Sequence, residues 1–241
     1  MKKLLTRLMA LSGLLAAIVI LVVASIGGYF EPAFSHRVDF LSELNDADSR
    51  HPLLVGYLGL VPAGLLTLIF LWRLKDEIVV STRSMIGLIF VALIGVDLLV
   101  TQFAPCDADC PIAGDISVSQ KIHNLSGGLS GVLVPIGIYL LIKPLREAGF
   151  GATISTISAV VIAILVFGFV VMATNAMPEH VGIVQRANVA AFYIYMALLN
   201  VQLFVRERNT YRAGSAAVPV NGLKPRSANA THANAPRCGN R

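Results

Sequence analysis

The chain has 241 residues, of which 56% are hydrophobic and only 14% charged, against roughly 25% charged in a soluble domain. That deficit, concentrated in long uncharged runs, excludes an ordinary soluble globule and places the chain in the membrane class. The net charge of +5 does not signify nucleic acid, because the cations sort by side of a membrane and no polar surface interleaves them with aromatics.

A bilayer-crossing helix needs about 20 mostly apolar residues. Six such runs stand out, at 8–29, 53–72, 84–104, 122–142, 152–174 and 183–205. They predict an all-α fold: a polytopic bundle of six transmembrane helices over residues 1–205. A disordered cytoplasmic tail over 206–241 is expected to follow, since that stretch lacks apolar periodicity. A membrane barrel would show alternating runs of about ten residues instead. With the N-terminus assigned to the cytoplasm, fifteen of the 19 Lys and Arg fall inside; only Arg37, Arg50, Lys121 and Arg186 fall outside. This positive-inside pattern predicts a multi-pass protein of the cell membrane with both termini cytoplasmic. The partners implied are membrane lipids, with no nucleic acid. No cofactor motif is present, neither a Walker loop nor a dinucleotide fingerprint. Nothing in the residues specifies an oligomeric state.

The first run has a basic start and small residues at Ala24-Ser25-Ile26-Gly27, as a cleaved signal would. Its length exceeds the 7–15 residues of a signal core, so it reads as an uncleaved helix. Residues 31–52 form an acidic loop, expected to be solvated, although Asp39-Phe40-Leu41-Ser42-Glu43-Leu44 can form a helical turn on the membrane surface. Pro52 suits the first turn of the second helix, where a missing amide costs nothing. Pro62 is expected to kink that helix. Gly56, Gly59 and Gly64 allow close helix approach, and Trp72 suits the headgroup level.

The third run contains Asp97, about 10 Å below the outer helix end at 1.5 Å per residue. A charge at the bilayer centre costs at least about 2.5–3.5 kcal/mol on insertion scales. Asp97 is therefore either a functional group or half of a structural pair that locks two helices. Cys106 and Cys110 follow, four apart. In an oxidising compartment they read first as a disulfide. A metal between them is the rival, but two ligands do not make a four-coordinate zinc site, and no metal is assigned. His123-Asn124 opens the fourth run. Its Ser126, Gly127, Ser130 and Gly131 form a small-residue stripe that reads as a close-packing face. The fifth run is apolar throughout its middle and reads as packing. Gln185-Arg186 opens the sixth. Arg186 is the leading partner for Asp97, since guanidinium pairs carboxylate in a fork; its alternative is snorkelling to headgroups. Cys238 lies fourth from the end, but Gly239 and Asn240 do not fit a prenylation signal.

These landmarks, in order, are Ser42-Glu43-Leu44, Phe103-Ala104-Pro105-Cys106-Asp107-Ala108-Asp109-Cys110-Pro111, His123-Asn124 and Gln185-Arg186. The sequence resembles, over roughly 10–205, a family of prokaryotic membrane proteins catalogued as domain of unknown function 998. The resemblance implies a six-helix membrane protein and carries no activity.

Three functions are open at this point. The first is binding or transport of a lipid headgroup or small polar solute in an outward-facing site. Asp97, His123 and Arg186 would form its floor, Gln185 would stand beside them, and Ser42 and Glu43 would be its lid. The second is a structural or assembly protein with no ligand, in which the same polar groups lock the bundle. The third is a membrane-embedded hydrolase with a metal on His123, Asp97 and His180, attacked through Ser42 or metal-bound water.

Overall fold

The computed structural model describes residues 2–46 and 48–216. Among them every regular element is helical, and six helices are long and apolar enough to cross a membrane. We number them α1 (Lys2–Ile26), α2 (Pro52–Lys75), α3 (Thr82–Phe103), α4 (Val118–Glu147), α5 (Thr153–Thr174) and α6 (Val181–Ala216). The chain is thus the six-helix membrane bundle that the apolar runs imply. α6 continues past the predicted membrane limit at 205. The rest of the expected tail, 217–241 with Cys238, lies outside the described residues.

Helix ends follow local chemistry. Ser81 and Ser117 cap α3 and α4, each hydroxyl accepting a backbone amide three residues on, at 3.1 Å from Ser84 and 3.0 Å from Gln120. Pro52 occupies the first turn of α2. Just ahead of Pro62, where a kink is expected, the helix widens into a π turn over Gly56–Leu60. A proline has no N–H and its ring crowds the carbonyl four residues back, so widening the preceding turn relieves both problems.

α1 packs on α2, α2 on α3, α3 on α4 and α4 on α5, as short connections favour. α6 closes the bundle. Its Tyr193 reaches Thr67 of α2 (3.3 Å), its Tyr195 reaches Ser158 of α5 (3.1 Å), and its Asn200 lies under Gly13 of α1. The closing face is broad: Phe192, Tyr193, Tyr195, Met196, Leu199, Asn200 and Leu203 are all buried. The outward faces keep large apolar side chains such as Leu65, Ile89, Val132 and Phe167 exposed, as a lipid-facing surface requires.

Two crossings depend on paired glycines. A Cβ on Gly64 would lie 2.7 Å from the Gly95 carbonyl oxygen, and one on Gly95 would lie 3.0 Å from that of Gly64. Gly87 and Gly137 repeat the arrangement between α3 and α4, at 3.1 and 2.8 Å. In lipid, where burial of apolar surface gives no drive, such close backbone approach is a main source of attraction between helices.

Candidate functional site: a cavity at the disulfide end

The loop between α3 and α4 is held by its own polar residues. Cys106 and Cys110 form a disulfide. Asp109 and Cys110 adopt positive φ (62° and 40°), turning the chain sharply. The first turns of α4 then bind the loop. The Asp107 amide donates to Gln120 Oε1 (2.6 Å), Ser119 Oγ donates to the Pro105 carbonyl (2.6 Å), and Asn124 Nδ2 donates to the carbonyls of Pro111 and Ile112 (3.1 and 3.2 Å). Hydrogen bonds from the Ser117 hydroxyl and amide hold the exposed Asp107 carboxyl below its usual range. His123 Nδ1 lies 3.3 Å from the Ala104 carbonyl. Only the ring nitrogen can donate there, and a neutral ring then presents Nε2 as an acceptor.

The first loop is held by the start of α6. Arg186 donates through Nη1 to the carbonyls of His36 (3.1 Å), Asp39 (2.8 Å) and Gly182 (3.0 Å), and through Nε to that of Ala24 (3.4 Å). Its guanidinium also stands over the Phe34 ring at 5.1 Å. Gln185 Oε1 accepts from the Leu41 amide. Leu41–Asn45 form a 3-10 turn with Leu41, Leu44 and Asn45 buried. The segment is therefore a packed turn rather than a solvated loop. Glu43 closes the turn by accepting from the Phe40 amide at 2.8 Å. Burial pushes its carboxyl up to about 7, with Asp39, Asp109 and Asp46 adding repulsion against the opposing effect of the Phe40 bond. Burial, and then the Arg186 charge, hold the His36 imidazole below its ordinary value.

Beneath these two loops lies a cavity of about 350 Å³, within the usual span of small-molecule sites. α3 supplies Ile94 and Asp97, and α4 supplies the wall from His123 to Pro135. α5 contributes Leu165, Phe169 and Met172, α6 contributes Gln185, Asn188 and Tyr193, and Phe40, Ser42, Cys110 and Ile112 cover the loop end. Most of this lining is apolar.

Four of the predicted site residues, Asp97, His123, Gln185 and Ser42, line this one cavity; Arg186 and Glu43 do not. The expected Asp97–Arg186 pair is not formed. Asp97 accepts from Ser126 Oγ at 2.7 Å, while Arg186 is taken up by backbone carbonyls. The reason is local: the ends of α1 and α6 and the first loop present several carbonyls together, and Nη1 and Nε of the guanidinium donate to them at once. Glu43 likewise turns back on the Phe40 amide, which leaves Phe40 and Ser42 as the covering residues.

The small-residue stripe meets expectation only in part: Gly131 packs directly on the Phe169 ring of α5, with no room for a Cβ, and the turn before it does not pack. Gly127 and Gly128 have nothing within 4 Å of an added Cβ. Their side of α4 faces the cavity, not a neighbouring helix. Asn188 and Tyr193 are site residues that the sequence reading passed over. An intramembrane Asn at the level of Asp97 is the signal that marks such positions. Asn188 fits because α5 carries Gly168 opposite, where a Cβ would lie 2.2 Å from Asn188 Oδ1.

Cys106 Sγ, Cys110 Sγ and a His123 ring nitrogen lie within 4.8 Å of one another. The sulfurs are bonded to each other, and a disulfide does not offer the thiolates that a soft metal takes. His180 is at the start of α6, in a short turn over Pro178–His180, and does not line the cavity.

No curated protein and no solved structure matches this chain. A family model described as "Protein of unknown function (DUF998)" matches residues 14–202, a stretch that reaches into all six spans and both loops of the site; the chain belongs to the DUF998 family.

Proposed function

We propose that the cavity is a binding site for an amphiphile, a molecule with an apolar body and one hydrogen-bonding or charged group, such as a lipid, and that it opens toward the outside of the cell. The observation that carries this reading is the joint lining of one volume by Asp97, His123, Ser42 and Gln185 among mostly apolar walls. A purely structural network fills its space, whereas here Gly127 and Gly128 leave theirs open. The Asp97 carboxyl accepts from the Ser126 hydroxyl, with the Ser130 hydroxyl as a second neighbour, and its two oxygens keep lone pairs beyond these for a ligand donor. His123, in the same lining, offers a second acceptor at Nε2 when its ring is neutral. Loop residues Phe40 and Ser42, held through Arg186 and Gln185, act as the lid. The orientation rests on the distribution of Lys and Arg: fifteen of 19 belong to the N-terminus, the connections opposite the disulfide, or the C-terminal segment. The cell membrane is the place this implies.

The test has two parts. Protein extracted in mild detergent is weighed intact by native mass spectrometry, alongside Gly128→Phe, which fills the cavity, and Asp97→Asn, which keeps shape and removes charge. The parent carries one more lipid-sized adduct than Gly128→Phe, and Asp97→Asn holds that adduct less firmly. Equal adducts on all three would overturn the reading. A reporter active only outside the cytoplasm, fused at Arg212, stays silent in the proposed orientation; strong activity would reverse it.

A further inference from the structure

The opposite end of the bundle carries a second feature, independent of the cavity. Where α3 begins and α4 ends, Arg83, Tyr139, Ile142, Lys143, Arg146 and Glu147 line a groove of about 490 Å³. Three cations face one anion. Arg83 is held in place: its Nε donates to the Leu140 carbonyl at 3.0 Å, and its guanidinium stands 5.7 Å over the Tyr139 ring. These contacts leave both terminal nitrogens as donors in the fork that matches phosphate oxygens. The Lys143–Glu147 pair, 3.6 Å apart with both side chains about half exposed or more, is too solvated to tie up the ammonium.

The surroundings of the groove choose between a free phosphate and a lipid. Next along the same two helices, Ile86 and Ile89 of α3 and Ile136 and Tyr139 of α4 are exposed. A basic lower end thus continues into an apolar outer face. We propose that this groove binds the phosphodiester headgroup of an anionic phospholipid, with the acyl chains lying along the exposed isoleucines. Basic pockets between helices at the cytoplasmic surface are suited to such headgroups, and in the orientation proposed above this is the inner leaflet.

The experiment uses the full chain in neutral detergent, with binding read by native mass spectrometry and by thermal shift. The probes are phosphatidylglycerol, phosphatidylcholine and glycerol 1-phosphate. Phosphatidylglycerol binds and raises the melting temperature, phosphatidylcholine does so weakly, and glycerol phosphate does not. Arg146→Gln, at an exposed position, weakens phosphatidylglycerol about fivefold, the value of one surface cation; Arg83→Gln weakens it more. Lys75→Gln, which removes a cation outside the groove, leaves it unchanged. Equal binding of phosphatidylcholine overturns the proposal, as does an equal loss in Lys75→Gln or unchanged affinity in Arg146→Gln. Glycerol phosphate binding as tightly as the lipid would replace the lipid by a soluble phosphate ester. Should Arg83→Gln fail to fold, Arg146→Gln decides. Because Gly128→Phe leaves the groove intact, loss of the cavity ligand and loss of this lipid are separate results.

Discussion

Helix α4 is glycine-rich along its length, yet its two halves do opposite things. Near its middle, Gly137 meets Gly87 of α3 so closely that a Cβ would press on backbone oxygen at 2.8 Å. Three turns earlier, Gly127 and Gly128 meet nothing. Composition alone does not separate these glycines. What separates them is the facing surface: another backbone in one case, and in the other a volume bounded by Asp97, Phe169 and the loop above. A small residue lets a neighbour approach, and whether one does is decided by the other helix.

The largest test of this contrast is Gly137→Leu against Gly128→Leu. A branched side chain forced against the Gly87 carbonyl costs roughly 1–3 kcal/mol or more, so Gly137→Leu should unfold at clearly lower temperature. Gly128→Leu should hold its melting temperature and lose only the cavity adduct. Equal destabilisation by the two would erase the distinction drawn here.

Removing the Arg186 clamp separates the lid from the bundle. Arg186→Gln leaves the carbonyls of His36, Asp39 and Gly182 without their charged donor, worth about 1.5–3 kcal/mol for such bonds. Protection of the 36–45 amides in hydrogen exchange should fall while the α2–α3 crossing stays protected. Had Arg186 been the partner of Asp97, as its position suggests, the loss would appear instead around α3. That expectation failed for a reason visible only in three dimensions. In sequence Arg186 is one cation among four outside the predominantly basic connections; in the fold it lies where carbonyls of α1, the first loop and α6 converge.

A smaller effect tests the closing face of α6. Thr67 Oγ1 donates to the Ala63 carbonyl at 2.8 Å, so the Tyr193 hydroxyl must donate to Thr67 rather than accept. Tyr193→Phe removes that bond at a cost of about 0.5–1.5 kcal/mol. Tyr195→Phe, losing its bond to Ser158, should cost a similar amount in thermal unfolding. A much larger loss for Tyr193→Phe would mean that the cavity wall also depends on it.

The last effect is one of pH. The Glu43 carboxyl titrates near 7 in the folded protein against an ordinary value of 4.5. The folded turn therefore binds the proton more tightly than the unfolded chain does. Its contribution to stability is fully present below pH 4.5 and is lost as pH rises through about 7. Intrinsic-rate-corrected exchange at Leu41–Asn45 should accelerate between pH 5 and pH 8. Glu43→Gln, neutral throughout, should flatten that change. An unaltered pH response in the variant would assign the effect elsewhere.

The sequence by itself determined the six spans and that the cysteines, His123 and Gln185 gather at one end of the bundle, and it favoured the pairing of Cys106 with Cys110. These follow from short-range or whole-chain rules: apolar length against bilayer thickness, alternation of the connections between the two ends, and a sulfur pair four residues apart. Only the tertiary structure decided which partner each polar group took. Asp97 went to Ser126, Arg186 to backbone carbonyls and Glu43 to its own turn. The structure alone likewise decided that one glycine stripe would bound a cavity while another closed a crossing. A buried polar group takes whichever donor or acceptor the packed helices bring within about 3 Å, and that depends on crossing geometry, which no local pattern of residues encodes.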